Sequence, residues 1–273
     1  MQQYKIIPHK SLDTIHKITS IITERERGAY LRFGDGEMNH MMGMSDQFNK
    51  HDTNFDVEMR ESICIDDPNY LKGVCLMSRK YGLLEEKMWP GNHEFKPHMC
   101  DQYFNLMCRI RKKILTEYYT FVAFNFYLTT YPEKSFPLMK NIRNLCLKNS
   151  VIFIGNKNID KNVIELMFGE KYFFIECPPK NSYSDINNIE SKLISSLNMN
   201  DNYKIVIVCC GATTEPLTKR IWKTNNINCN YFMLDFGSII DALSGNNSRQ
   251  YLIDTKFNGK KYRESFKKYI SNE

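Results

Sequence analysis

The run Lys204-Ile205-Val206-Ile207-Val208-Cys209-Cys210 constrains the fold more than any other stretch of the chain. It is of strand length, β-branched and apolar on consecutive positions, the pattern of a strand buried on both faces. Gly211 breaks it, and the spacing beyond predicts a helix over 216–223. The same alternation recurs nearby. Strands are expected over 150–154, 172–176 and 231–236, with helices over about 160–168 and 184–197. Strands alternating with helices imply a Rossmann-like α/β fold, a mostly parallel sheet with helices on both faces. In such sheets ligands gather at the carboxyl ends of the strands, so the residues that follow each strand carry the functional interest.

The first half alternates less cleanly. Ser11 is placed to cap a helix with Leu12, Ile15, Ile18 and Ile22 on one face. Ala29, Leu31 and Phe33 alternate with Tyr30 and Arg32 as a strand does. Helices are expected over 38–44, 56–65 and 99–118, with strands over 70–77 and 120–127. The irregular stretch 89–97 reads as a lid or an acceptor-facing loop. Pro132 to Pro137 marks the break between the halves. The expected organisation is a single α/β domain over 1–245, with a subdivision point near 132–149 and a basic tail over 246–273.

Composition narrows the function classes. The net charge is +6, from 37 basic and 31 acidic residues, with no basic stripe, zinc-finger spacing or aromatic RNA-binding motif, which argues against nucleic acid as a partner. Lys260, Lys261, Arg263, Lys267 and Lys268 crowd the tail, which suits peripheral contact with an anionic membrane surface or simply a solvated amphipathic end. Nine cysteines without framework spacing indicate reduced thiols. With no signal-peptide pattern at Met1-Gln2-Gln3-Tyr4-Lys5 and no membrane-spanning run, a cytoplasmic location is expected.

Four clusters carry candidate chemistry. Arg32-Phe33-Gly34-Asp35-Gly36-Glu37 follows a strand and presents two carboxylates one residue apart, which suits Mg²⁺ or Mn²⁺ shared with substrate phosphates. Ordinary turn chemistry explains the same residues, and Arg32 either pairs with Asp35 or faces a phosphate. Gly211-Ala212-Thr213-Thr214 is a small-residue turn that either admits a phosphate to a helix start or merely caps the helix with Thr214. Lys180 and Asn181 stand where a strand hands over to a helix, as phosphate and nucleoside contacts or as solvated loop residues. Asp235 and Asp241 bracket the last strand end, as ligands of a ribose, a metal or an acceptor hydroxyl, or as a cap of the next helix. His40, just past the acidic turn, reads as a packing or surface histidine.

Taken in order, these pieces resemble the bacterial glycosyltransferase family formerly called domain of unknown function 1792, whose fold is termed GT-D. The resemblance spans about residues 28 to 242. It rests on the Arg-Phe-Gly-Asp-Gly-Glu turn, on Pro179-Lys180-Asn181-Ser182-Tyr183 with Asp185, on Gly211-Ala212-Thr213-Thr214, and on Asp235-Phe236-Gly237-Ser238 with Asp241. Ala212 stands where the family has proline, Ser238 where it has histidine, and the last acid is displaced by one position. The Glu-Gly turn and the Arg-Pro of the family pattern have no counterpart at Ile154-Gly155 and Asn125-Phe126. These departures bear on acceptor and sugar choice more than on donor class.

The resemblance implies a metal-dependent glycosyltransferase with a nucleotide-sugar donor, a UDP-sugar, and a glycan, glycoprotein or glycolipid acceptor. Asp35 and Glu37 are then its Asp-x-Glu metal pair for Mn²⁺ or Mg²⁺, with Asp241 a candidate base. Arg32, Gly34, Lys180, Asn181, Gly211, Thr213, Thr214 and Asp235 are the expected donor contacts. Two alternatives stand beside this reading: a metal-dependent phosphohydrolase acting on nucleotide or sugar phosphates, and an inactive glycan- or nucleotide-binding module.

Overall fold

The structure is a computed structural model that describes residues 5–85, 97–200, 202–246, 252–253 and 255–272. Among the described residues, eight strands form one sheet: β1 (Ile7–His9), β2 (Gly28–Phe33), β3 (Tyr70–Val74), β4 (Glu117–Thr120), β5 (Ser150–Gly155), β6 (Tyr172–Glu176), β7 (Lys204–Val208) and β8 (Tyr231–Asp235). Their order is β1-β4-β3-β2-β8-β7-β5-β6, and every pairing is parallel, so the sheet is wholly rather than mostly parallel. The helices are α1 (Ser11–Thr23), α2 (Asp35–Met41), α3 (Thr53–Ile63), α4 (Pro97–Arg111), α5 (Ala123–Thr130) and α6 (Pro132–Lys148), then α7 (Lys161–Phe168), α8 (Ile186–Leu197), α9 (Thr214–Lys223), α10 (Ile239–Leu243) and α11 (Gly259–Ser271).

Consecutive apolar residues in the strands serve two cores. Ile152, Ile154, Val206, Val208 and Met233 enter the core under α3, α4, α8 and α9. Val151, Phe153, Ile205, Ile207, Phe232 and Leu234 enter the opposite core under α1, α5, α6 and α7. The period-two direction of side chains therefore splits each continuous run between the two faces.

Several boundaries differ from the sequence expectation. The acidic stretch is the first turn of α2 rather than a loop, so the helix expected at 38–44 starts at Asp35. The helix expected over 99–118 stops at Arg111, where Lys112 takes the left-handed conformation (φ 54°) that ends helices, and Tyr118 belongs to β4. Residues 120–127 are not one strand. β4 ends at Thr120 and α5 follows, with the Phe126 N–H donating to Val122 O at 2.7 Å. A short apolar run fits a buried helix as well as a strand, and periodicity does not separate them. Pro132 occupies the first turn of α6, where its missing N–H is not needed. Ser11 does not cap α1; its N–H donates to Glu85 Oε1 at 2.7 Å, and Lys10 is the cap residue.

Tyr262 and Phe266 of α11 are buried and pack on Phe136, with ring centroids 5.3 and 5.8 Å away. Most of the stretch read as a lid, residues 89–96, lies outside the described residues. All nine cysteines are free. Among the described residues, no helix is long and apolar enough to cross a membrane.

Candidate active site

Strand order reverses between β2 and β8: from β2 the chain moves outward to β3, while β8 arrives last beside β7. A reversal of this kind opens a crevice at the carboxyl ends of the strands. A cavity of about 540 Å³ lies there, walled by residues that follow β2, β4, β5, β6, β7 and β8. Asp35 is exposed in it and Glu37 half-buried, both on the first turn of α2. Acids there complement the positive end of the helix. Glu37 Oε2 also accepts the Gly34 N–H at 2.8 Å, which fixes one carboxylate oxygen. Gly34 leaves room for this bond, since a Cβ there would stand 3.0 Å from Glu37 Oε2.

Arg32 pairs with Asp235, not with Asp35: its Nε lies 3.0 Å from Asp235 Oδ2. The pairing depends on Gly237, whose φ of 64° favours glycine and where a Cβ would overlap the Arg32 guanidinium. Around this one guanidinium burial has gathered several acids. Burial pushes the Glu37 carboxyl up to about 7; a backbone N–H bond and Arg32 oppose the rise, while Asp235 and Asp35 add to it. Asp235 is raised by burial against the pull of Arg32. Glu215, in the first turn of α9, is wholly buried with neither carboxyl oxygen hydrogen-bonded, and burial, then Glu37 and Asp235, hold its pKa well above the ordinary range.

The crowding bears on a metal. Among the described residues, no group of three or more His, Cys, Asp and Glu forms a closed metal cluster. A hard cation that keeps waters and substrate phosphates needs only one or two protein carboxylates. Asp35 and Glu37 supply two, and a bound cation would favour the ionised form of the Glu37 carboxyl that burial disfavours. The residues present fit such an ion.

Lys180, Gly211, Asp235 and Asp241 line the same cavity as Arg32, Gly34, Asp35 and Glu37. Three other expected contacts do not. Thr213 and Thr214 are fully buried, with hydroxyls that reach no partner and do not line the cavity; neither caps α9 through its side chain. Helical continuation from the short Gly211–Thr213 turn carries both side chains inward. Asn181 sits in the left-handed region (φ 52°), accepts the Lys50 N–H on Oδ1 at 2.9 Å and donates its own N–H to Phe48 O at 3.0 Å. It staples the 46–49 loop, a wall of the cavity, instead of facing the cavity itself.

The same loop is held from beneath by His40, which is fully buried rather than at the surface. Its Nδ1 lies 3.3 Å from Asp56 Oδ1 and its Nε2 3.5 Å from Asp46 Oδ2, and Asp46 accepts the N–H groups of Phe48 and Asn49 at 2.6 and 2.5 Å. Burial lowers the His40 pKa, but Asp46 and Asp56 outweigh it and the net shift is upward. Sequence reasoning missed Glu215 and this wall. An acid in the first turn of a predicted helix reads as dipole complement, and no local pattern pairs His40 with acids six and sixteen residues away.

The family model for the glycosyltransferase GT-D fold matches residues 30–256. Among solved structures, the chain is similar to "A New Glycosyltransferase (DUF1792) from Streptococcus sanguinis", at 16% identity and TM-score 0.63, covering 86% of this chain and 82% of that one. It is also similar to a structure described as "The highly conserved domain of unknown function 1792 has a distinct glycosyltransferase fold", at 16% identity and TM-score 0.58, covering 86% and 79%. No curated protein matches the chain in sequence. With the family match running through the acidic turn, the strand-end cavity and the last strand alike, this chain belongs to the GT-D fold family of glycosyltransferases.

Proposed function

We propose that this protein transfers a sugar from a nucleotide-sugar donor, a UDP-sugar, to a hydroxyl of a glycan or glycoconjugate acceptor, with Mn²⁺ or Mg²⁺ held by Asp35 and Glu37. The observation that carries this reading is the meeting of both carboxylates with the ends of six strands in one cavity at the sheet's switch point. A bound divalent cation would supply Lewis-acid neutralisation of the charge on the leaving diphosphate. Glu37 is oriented for that task by the Gly34 N–H. Lys180, exposed at the cavity edge, places an ammonium against the diphosphate. The backbone of Gly211 and Ala212 lets a phosphate approach closely. Arg32 and Asp235 hold each other, so Arg32 meets the donor in an orientation already fixed. Asp241 lines the same cavity and is the candidate base that takes the acceptor proton. A cytoplasmic setting belongs to the same reading, from cysteines that lack framework spacing in the sequence.

The test is a panel of nucleotide sugars measured by calorimetry with and without Mn²⁺, together with nucleotide release with and without acceptor. Metal-dependent binding and acceptor-dependent release are expected, both lost in Asp35→Asn and Glu37→Gln. Release that ignores the acceptor turns the assignment to hydrolysis. Absence of metal-dependent nucleotide binding across the panel removes the assignment altogether.

A further inference from the structure

A second cavity of about 670 Å³ lies at the opposite end of the sheet, where β3 and β4 begin and α4 ends. Its lining holds the cations Lys72, Arg111, Lys112 and Lys113. Lys72 is a central residue of β3, 7% exposed, and among the described residues its Nζ has no hydrogen bond or ion pair. Its close partner is the Tyr70 ring, 5.5 Å from Nζ to centroid. The Arg111 side chain is 6% exposed; Nη2 donates to Asp66 Oδ1 at 2.6 Å, while Nε and Nη1 are buried without an acceptor.

The carboxylates around this cavity are already engaged. Asp66 is shared between Arg111 and Lys113. Asp67 accepts the Asn69 N–H at 2.8 Å. Glu117 is held by His9 at 3.0 Å and by the Tyr119 hydroxyl at 2.9 Å. Among the described residues, none of these carboxylates forms an ion pair with Lys72. Buried donors without acceptors are costly, and an unpaired buried ammonium more so. Lys72 shows the strain, its pKa pulled down to about 8 by burial and then by Arg111, with Lys113 adding to the fall and Asp66 and Asp67 opposing it.

We propose that this cavity is an anion site that takes a phosphate monoester, independent of the donor cavity. Lys72 meets the anion as a point charge, the Arg111 guanidinium adds its charge beside it, and the exposed Lys112 and Lys113 stand at the rim. A dianion with three oxygens suits several converging cations better than a single carboxylate does. The phosphate arrives on a free small molecule or on a lipid headgroup, and the cavity is larger than the phosphate alone requires. The site uses none of the residues of the donor cavity, so it stands whether or not the transferase reading does.

The experiment takes the whole chain with inorganic phosphate in one arm and phosphatidic acid in phosphatidylcholine vesicles in the other. A free-phosphate site raises Tm by at least about 2 °C at tenfold saturation. A headgroup site gives sedimentation with phosphatidic acid vesicles and none with phosphatidylcholine alone. Lys72→Met and Arg111→Leu should each abolish the response, and Asp35→Asn should keep it. Response in neither arm, or a response that survives Lys72→Met, overturns the proposal. Should the variants not fold, the Lys72 ammonium is followed by NMR in the unaltered protein. Bound phosphate must lift its pKa from about 8 toward the ordinary lysine value, and a pKa that stays put overturns the site equally.

Discussion

The two ends of the one parallel sheet make opposite use of burial. At the carboxyl ends, desolvation gathers Glu37, Asp235 and Glu215 around the single Arg32 and raises all three carboxyl pKa values. At the amino ends, desolvation and neighbouring cations lower Lys72. Burial disfavours whichever form is charged, so the direction follows from the group and not from the place. The proposed ligands follow that difference: a cation with its diphosphate at the acid end, a phosphate at the basic end. Side chains inside a balanced ion-pair network show nothing of this kind. Glu58, held by Arg220 at 2.6 Å and Lys219 at 3.1 Å, has its carboxyl brought down to about 2 in spite of burial.

The contrast breaks first at Asp35 and Glu37. Replacing Asp35 and Glu37 together by Ala should cut acceptor-dependent transfer by about 10²–10³-fold, the scale set by losing electrostatic stabilisation of a leaving group. The phosphate response at Lys72 should be untouched. A double variant that transfers sugar at the original rate would show that the acid end serves structure alone. Gly237→Ala comes next. It forces φ of 64° on a side-chain-bearing residue and drives a methyl into Arg32, so the Arg32–Asp235 pair must open. A loss of about 2–4 kcal/mol in urea unfolding is expected. Lys72→Met in the same assay at pH 7.5 should match or exceed the parent, because it removes a buried charge that lacks a counter-ion.

Titration sharpens the comparison in chelator-treated protein. Glu37 titrates near 7 in the folded state against 4.5 ordinarily. Between those values the folded protein keeps a proton the unfolded chain has released, so stability falls as pH rises through the window. Lys72 titrates near 8 against 10.5. There the unfolded chain binds more protons, so the contribution of Lys72 to stability climbs with pH from about 8 to 10.5, by roughly 3 kcal/mol. Buried thiols and phenols with raised pKa values pull the other way in that range, so each contribution is read as a difference between parent and variant. Urea midpoints from pH 4 to 10 should show the parent losing ground to Glu37→Gln between about pH 4.5 and 7, and gaining on Lys72→Met above about pH 8. If neither variant alters the profile, the two ends do not differ in the way described.

The comparison also explains what sequence could reveal. The parallel sheet was legible because runs such as Lys204–Val208 are continuous and apolar, a pattern that burial on two faces imposes. Arg32, Gly34, Asp35 and Glu37 were legible because they directly follow a strand in a sheet of that kind. The partner of Arg32 was not, since Asp235 lies 203 residues away and is brought near only by the pairing of β2 with β8. Glu215 and Lys72 were invisible for the same reason: a charged residue in a helix start or a strand looks solvated until the fold removes its water. The inward turn of Thr213 and Thr214 depends on helical phase, which a three-residue turn does not announce.

The smallest expected effect concerns the wall between the strand-end cavity and solvent. Asn181 does two things at once: it adopts φ of 52°, and its Oδ1 accepts the Lys50 N–H. Asn181→Gly keeps the backbone conformation and loses the hydrogen bond; Asn181→Ala loses both. Asparagine and glycine tolerate the left-handed region and alanine does not. Loss of the exposed bond alone is worth about 0.5–1.5 kcal/mol. Asn181→Gly should therefore raise the donor KM by about three- to ten-fold with kcat unchanged, and Asn181→Ala should raise it further and lower stability as well. The effect belongs to positioning, because the side chain is tied to the loop and does not line the cavity. A kcat loss in Asn181→Gly at unchanged KM would instead put this amide in contact with the reacting groups.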